Sequence, residues 1–210
     1  MLDVLLDQLN YWVIFLLMAI ESSFIPFPSE LVMPPAAWLA ATEGNLNIFL
    51  VILAGTLGAD LGAIINYYLA RYLGRPLIYK IADSRFGHLL LITKKKVEDS
   101  EVYFEKHGAI STFIGRLVPA VRQLISIPAG LSRMKLSSFL LYTTLGAAIW
   151  NTILVGIGYY LSTIESIDSR EKVTQAAMTY SHEIGYVIAA IVGLSLLYFL
   201  LKKKKQNKKK

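Results

Sequence analysis

The stretch AISTFIGRLVPAVRQLISIPAG, Ala109 to Gly130, decides the reading of this chain. It is apolar enough to sit in a bilayer, yet it carries Arg116 and Arg122, six residues apart. A guanidinium stays charged at any relevant pH, and placing one at membrane depth costs at least about 3 kcal/mol. Such a residue persists only opposite a partner, a watery cavity or an anion. Pro119 lies between the two arginines and Pro128 closes the run. The pattern predicts a segment that enters the membrane, breaks, and turns back around a charged site. It points to transport before catalysis.

Composition agrees. Hydrophobic residues make up 55% of the 210, mean hydropathy is +0.51, and only 17% are charged. A soluble domain carries about 25% charged residues, so the surplus apolar surface needs lipid. The length suits one membrane domain with several spans and leaves no room for a second, soluble one. The absence of cysteine excludes disulfides and thiolate metal sites. Residues 1–10 lack the positive start of a secretory signal. The net charge of +6 reads as topology. Its lysines are confined to a loop and a tail, whereas a nucleic-acid binder needs a basic face with aromatic platforms.

Apolar blocks run from Tyr11 to Ala41, Ile48 to Tyr72, Ala109 to Gly130, Phe139 to Leu161 and Tyr186 to Leu201. The second and fourth reach the roughly 20 residues a spanning helix needs, and the fifth crosses if the bilayer thins locally. No Lys or Arg precedes Arg71, whereas residues 71–106 carry eight and the tail Lys202–Lys210 carries seven. Between Ser162 and Gly185 two basic residues, Arg170 and Lys172, face four acids. The positive-inside rule then places the middle loop and the C-terminus in the cytoplasm. Arg133 and Lys135 put the start of the fourth block on the same side, so the third block must enter and return as a re-entrant hairpin.

A shift of 93 residues aligns Pro26 with Pro119, Leu31 with Leu124, Pro35 with Pro128 and Ala36 with Ala129, and sets Glu30 opposite Gln123. Tyr67-Tyr68-Leu69 and Tyr159-Tyr160-Leu161 recur at nearly the same offset. The expected fold is therefore an all-α integral membrane protein: an inverted repeat of re-entrant hairpin plus transmembrane helix, with an additional C-terminal transmembrane helix. Inverted repeats with broken helices are how many transporters build a site at the midplane. In numbers, a single polytopic domain fills 1–201. It comprises a first repeat at about 11–75, a cytoplasmic loop at about 76–107, a second repeat at about 108–161, an external loop at 162–185 and a last helix at 186–201. A Lys-rich cytoplasmic tail follows at 202–210.

Arginine grips phosphate with a two-pronged fork, and broken helix ends add backbone donors, so Arg116 and Arg122 are the expected phosphate ligands. Glu21 and Glu30 flank Pro26-Phe27-Pro28, and the break lets them converge as proton-coupling or site carboxylates. Asp60, within Gly58-Ala59-Asp60-Leu61-Gly62, joins them as a third carboxylate. The small residues around it admit a close helix, and Arg116 or Arg122 are its expected partners. Pro26, Pro28, Pro119 and Pro128 are the expected hairpin breaks. Trp150 and Asn151 read as packing or interface residues, and Tyr67, Tyr68, Arg71, Gly74 and Arg75 as interface anchors. His88, His107 and His182 share no metal-ligand spacing, so neither metal nor cofactor is expected.

These residues resemble the DedA family, which shares its domain with lipid scramblases of the endoplasmic reticulum. Glu21 with Pro26-x-Pro28-Ser29-Glu30 is similar to that family's first signature. Gly58-x-x-x-Gly62 through Tyr67 to Gly74-Arg75 is similar to the second. Phe113-x-x-Arg116-x-x-Pro119-x-x-Arg122, then Ala129-Gly130, Met134, Phe139 and Gly146 to Trp150, resembles the third. The likeness covers about residues 15–160. It implies opposed re-entrant hairpins and lipid translocation, in bacterial members of undecaprenyl phosphate or of phospholipids such as phosphatidylethanolamine. The two acids and two arginines such proteins need map onto Glu21, Glu30, Arg116 and Arg122. Glu30 departs from the pattern, standing closer to Glu21 where several members have Asp.

The resulting expectation is a non-enzymatic flippase of the plasma membrane. It carries a phosphate-headed lipid, foremost undecaprenyl phosphate for cell-envelope recycling, with protons as a second partner. The alternatives are an energy-independent phospholipid scramblase, a small-solute or ion transporter, and an integral lipid phosphatase. The last would need an acid–base group such as histidine beside the phosphate, and the apolar blocks hold none. Oligomeric state is left open.

Overall fold

A computed structural model describes residues 9–23, 28–74, 76 and 94–207. The helices, in chain order, are α1 (Tyr11–Ser22), α2 (Met33–Thr42), α3 (Ile48–Leu69), α4 (Lys94–Leu117), α5 (Pro119–Arg122), α6 (Ser126–Leu131), α7 (Leu136–Leu161) and α8 (Arg170–Asn207). A 3₁₀ turn at Ser29–Leu31 precedes α2, and a π-helical turn at Ala70–Gly74 extends α3. No strand occurs among the described residues.

Helix starts are written locally. Asn10 caps α1 by accepting hydrogen bonds from the amides of Trp12 (3.0 Å) and Val13 (3.1 Å). Asn47 does the same for α3 through Phe49 and Leu50. A side-chain oxygen at this position satisfies amides that the helix itself cannot. Tyr11 Oη also accepts from the Asn47 amide at 2.8 Å, tying the two starts together. Pro34 and Pro35 open α2, Pro119 opens α5, and Pro128 sits in the first turn of α6. A missing N–H costs nothing in a first turn. Pro128 thus belongs to a helix start, and the chain turns instead at residues 118 and 123–125. Pro26 and Arg75 lie outside the described residues.

Helix α1 packs on α3 and α2 packs on α7; in the second half α4 packs on α7 and α6 packs on α3, while α3 and α7 meet each other. Glycine permits the closest of these approaches. A Cβ on Gly58 would strike the carbonyl oxygen of Phe15, and one on Gly62 that of Ala19. Gly158 lies in the same way against the Pro34 carbonyl, and Gly130 against that of Tyr67. Between these contacts Ile14, Met18, Met33, Val51, Trp150 and Leu154 form the main buried core. A second core joins Tyr67, Phe104, Ala129 and Phe139, with the Tyr67 and Phe139 rings stacked at 4.9 Å.

Two helices are long and apolar enough to cross a membrane, Ile48–Gly74 and Leu136–Leu161. At about 1.5 Å per residue each exceeds the roughly 30 Å hydrocarbon core. Both turn apolar side chains outward, among them Phe49, Leu53, Leu57 and Ile65 on α3 and Leu141, Leu145 and Ile149 on α7. The stretch expected as an external loop is helical from Arg170 onward and continuous with the last helix. Its cause is a four-residue periodicity: Val173, Ala177, Ser181 and Gly185 are all buried. Val173 and Ala177 pack with Leu161 and Trp38, and Gly185 meets the Pro119 ring. Likewise the stretch expected as a cytoplasmic loop is helical from Lys94, while 77–93 lie outside the described residues.

The close α1–α3 contact makes a prediction with a built-in control. Gly62→Ala should lower stability by about 1–3 kcal/mol, because the new methyl meets backbone that has no room to move. Gly156→Ala, which has no neighbour within 4 Å, should be neutral or raise stability by up to about 1 kcal/mol. Thermal unfolding of the two purified variants in detergent checks both signs.

Candidate functional site

The end of α1, the 3₁₀ turn, the end of α4 and the short helices α5 and α6 converge between α3 and α7. They bring together four of the five charged residues expected to form the site. Arg122 is the hub. Its Nη2 lies 2.8 Å from Glu21 Oε1 and 3.8 Å from Glu30 Oε2, and it donates to Ser29 Oγ at 2.7 Å. Its guanidinium carbon stands 5.3 Å from the Trp150 ring centroid, within cation–π range. Glu21 and Glu30 therefore do converge, drawn from the two sides of the α1–3₁₀ connection onto one cation. Pro28, with extended backbone, leads into the turn that carries Ser29 and Glu30.

Arg116 is held differently. Its Nη1 donates to Ser22 Oγ at 2.8 Å and its Nη2 to Ser126 Oγ at 3.3 Å. It is 3% exposed, and the ion pairs of the site fall on its neighbour Arg122. Hydroxyls compensate a buried cation far less than a carboxylate does. Gly146 on α7 makes room for it, since a Cβ there would lie 2.5 Å from Arg116 Cβ. Three buried donors around these side chains have no acceptor: Arg116 Nε, Arg122 Nε and Trp150 Nε1. A buried donor left unpaired costs about 1–3 kcal/mol. Asp60 Oδ1 and Thr143 Oγ1 are buried oxygens likewise left unpaired, and the two arginines share the region with three carboxylates, Glu21, Glu30 and Asp60. What stays unmet around the arginines is the three N–H groups, which call for acceptor oxygens.

Asp60 makes no close ion pair among the described residues, although its charge acts on Arg116 through space. Its Oδ2 accepts from Thr144 Oγ1 at 2.7 Å, and its Oδ1 has no partner. The reason lies in helical phase. Gly58 and Gly62 commit one face of α3 to α1, and a residue two positions from each is turned away from that face, toward α7. Asn151 bonds Thr56 across the same α3–α7 seam at 3.2 Å. Asn66 ties the halves together, its Nδ2 donating to the carbonyls of Ser22 (3.1 Å) and Gln123 (3.4 Å).

Sequence reasoning gave no ligand role to Ser22, Ser29 and Ser126, the hydroxyls that hold the arginines, and it read Trp150 as a packing or interface residue. A signal was available: Ser22 adjoins Glu21, Ser29 adjoins Glu30, and Ser126 lies four residues beyond Arg122. Of the other residues singled out, Tyr67 donates to the Met134 carbonyl and accepts from Arg71 Nη1 at 2.6 Å. His107 stacks on Tyr103 and is exposed; His88 lies outside the described residues. No group of three or more metal-type ligands occurs among the described residues.

The VTT domain matches residues 27–160, most of the chain, and the protein belongs to this domain's family, the DedA family of membrane proteins. An alkaline phosphatase-like protein of Lactococcus lactis subsp. cremoris is 34% identical over 94% of this chain and 90% of its own length. Undecaprenyl phosphate transporter A of Bacillus subtilis is 35% identical, covering 84% of this chain and 82% of the relative. Protein DedA of Escherichia coli is 26% identical over 77% and 73%. No solved structure matches the chain.

Breaking the hub should be costly. Arg122→Met strands Glu21 in a site where it is 3% exposed, and stability should fall by about 3–5 kcal/mol. Adding Glu21→Gln to that variant should recover part of the loss. A double-mutant cycle by thermal unfolding measures the coupling.

Proposed function

We propose that this protein is a flippase that carries a phosphate-headed lipid across the plasma membrane, undecaprenyl phosphate before other lipids. The observation that carries the reading is Arg116, a buried cation whose direct partners are two serine hydroxyls, with Glu21 and Asp60 acting on it through space. A phosphate monoester brings the oxygens that Arg116 Nε, Arg122 Nε and Trp150 Nε1 lack. Arginine suits it geometrically through paired N–H groups. The prenyl tail stays in lipid throughout, so only the headgroup needs a polar path. The transporter name of the B. subtilis relative supports the same substrate.

In this reading Arg122 is the gated ligand. While Glu21 is ionised it occupies the guanidinium at 2.8 Å and repels an incoming phosphate. Proton uptake by Glu21 releases Arg122 to the headgroup, and proton loss expels the headgroup. Glu30 shares the same cation and moves with it, while Asp60 offers a further proton-accepting oxygen across the α3–α7 seam.

We also read the two halves as an inverted repeat of hairpin and spanning helix, at about 11–75 and 108–161. The pairings α1–α3 with α4–α7, and α2–α7 with α6–α3, are what a two-fold relation would produce. Ser29 and Arg122, equivalent under the 93-residue shift, bond each other, as residues beside such an axis would. The organisation proposed is multi-pass, with a final crossing at 186–201 and the tail at 202–210 in the cytoplasm.

Arg116→Ala should reduce lipid transfer by about 10- to 100-fold, as expected for one charge-assisted contact of about 1.5–3 kcal/mol. The measurement is loss of outer-leaflet accessibility of labelled polyprenyl phosphate in reconstituted vesicles, with and without a pH gradient. Normal transfer by the inserted variant would sink the proposal. Rapid equilibration of phosphatidylethanolamine without a gradient would favour the scramblase. Phosphate release in the same vesicles would favour the hydrolase that the lactococcal relative's name invokes.

A further inference from the structure

A second polar cavity lies apart from the buried arginines. It measures about 420 Å³ and is bounded by α4 around Lys106, by the loop Ser132–Lys135 and by Ser138 in the first turn of α7. Three cations line it, Lys106, Arg133 and Lys135, against one carboxylate, Glu105. All three cations are exposed, and the ion pairs of the described residues lie elsewhere.

Positive charge at this end of the helices is what topology alone would produce. The conformation of Arg133 is not. Its φ is +52°, the left-handed region, and it is the one non-glycine residue there among those described. The local hydrogen bonds explain why the backbone must turn so. The Met134 amide donates to the Ala129 carbonyl (3.1 Å) and the Arg133 amide to the Gly130 carbonyl (3.1 Å). This is the paired closure of a helix C-terminus, in which the left-handed position belongs by preference to glycine. Glycine at 133 would relieve the strain, and a cation for topology could stand at a neighbouring position without it. An outlier retained at such a position is a reason to ask what its side chain does. Beside it, Lys135 starts α7 without a side-chain cap, which leaves the first-turn amides facing outward with no side-chain partner.

We propose that this cavity binds a phosphate group with at least three unesterified oxygens, gripped by Arg133, Lys106 and Lys135 and completed by the first-turn amides of α7 and the Ser138 hydroxyl. The ligand chemistry is that of a lipid phosphate headgroup or of free phosphate. The site stands whether or not the buried arginines carry a lipid, because no residue is common to both.

The test reads the cavity locally. Full-length protein in detergent is treated with a lysine-acetylating reagent, alone or with geranyl phosphate or inorganic phosphate, and acetylation is followed per residue by mass spectrometry. Lys208, Lys209 and Lys210 in the tail serve as internal controls. At about ten times the half-saturating concentration of probe, Lys106 and Lys135 should react about tenfold more slowly while the tail is unaffected. Protection by geranyl phosphate alone assigns the site to lipid headgroups, and protection by both probes extends it to free phosphate. Arg133→Gly should lose the protection and yet melt at a higher temperature than the unmodified protein, a combination misfolding cannot produce. Equal protection of tail and cavity lysines, no protection by either probe, full protection in Arg133→Gly, or a lower melting temperature for that variant would each overturn the proposal.

Discussion

Arg116 and Arg122 are carried into the apolar interior and cannot shed their charge there, so the surrounding chain has to supply oxygen. It does so unevenly. Arg122 receives two carboxylates, a hydroxyl and an indole face, whereas Arg116 receives two hydroxyls. Breaking a buried pair is expensive even where making it contributes little, so the pair holds α1, the 3₁₀ turn and α5 in register. Around Arg116 the buried donors Arg116 Nε, Arg122 Nε and Trp150 Nε1 stay without an acceptor.

Such a site needs helices that approach closely, and small residues let them. Gly58 and Gly62 bring the backbone of α1 onto α3, which sets the height of Glu21 and Ser22 relative to the arginines. Gly146 opens the space on α7 that Arg116 Cβ occupies. In lipid there is little hydrophobic drive between apolar helices, and van der Waals packing with interhelical hydrogen bonds must serve instead. The bonds from Asn66 to the Gln123 carbonyl, from Asn151 to Thr56 and from Thr144 to Asp60 across the halves have that role. The outer faces of α3 and α7, rich in leucine and isoleucine, are left for the bilayer.

Short helices begun by proline complete the design. Pro119 starts a new helix immediately after α4 ends, and the turn at 123–125 redirects the chain again before α6. These interruptions place Arg122 and Ser126 on opposite sides of a bend, so that one side chain reaches back to Glu21 and the other to Arg116. A continuous helix would put residues four apart on the same face. The bend packs on α4 through α5 and on α3 through α6, while Val121 and Leu124 turn apolar side chains outward.

Periodicity and charge, read from the sequence, determined the helical class, the two helices long and apolar enough to cross a membrane, the charged segment broken by proline, and the four charged residues that meet around it. Those properties are local: hydropathy over a window, a proline's missing N–H, the cost of a guanidinium in oil. Only the tertiary structure decided which acid meets which arginine, that Asp60 turns to Thr144, and that three serines and Trp150 complete the shell. It alone showed the helix beginning at Arg170, whose small-residue stripe becomes meaningful once α2 and α7 offer a groove to receive it. Partner choice depends on the phase and approach of helices far apart in the chain. Those are set by where glycine carries no Cβ, and no single segment specifies them.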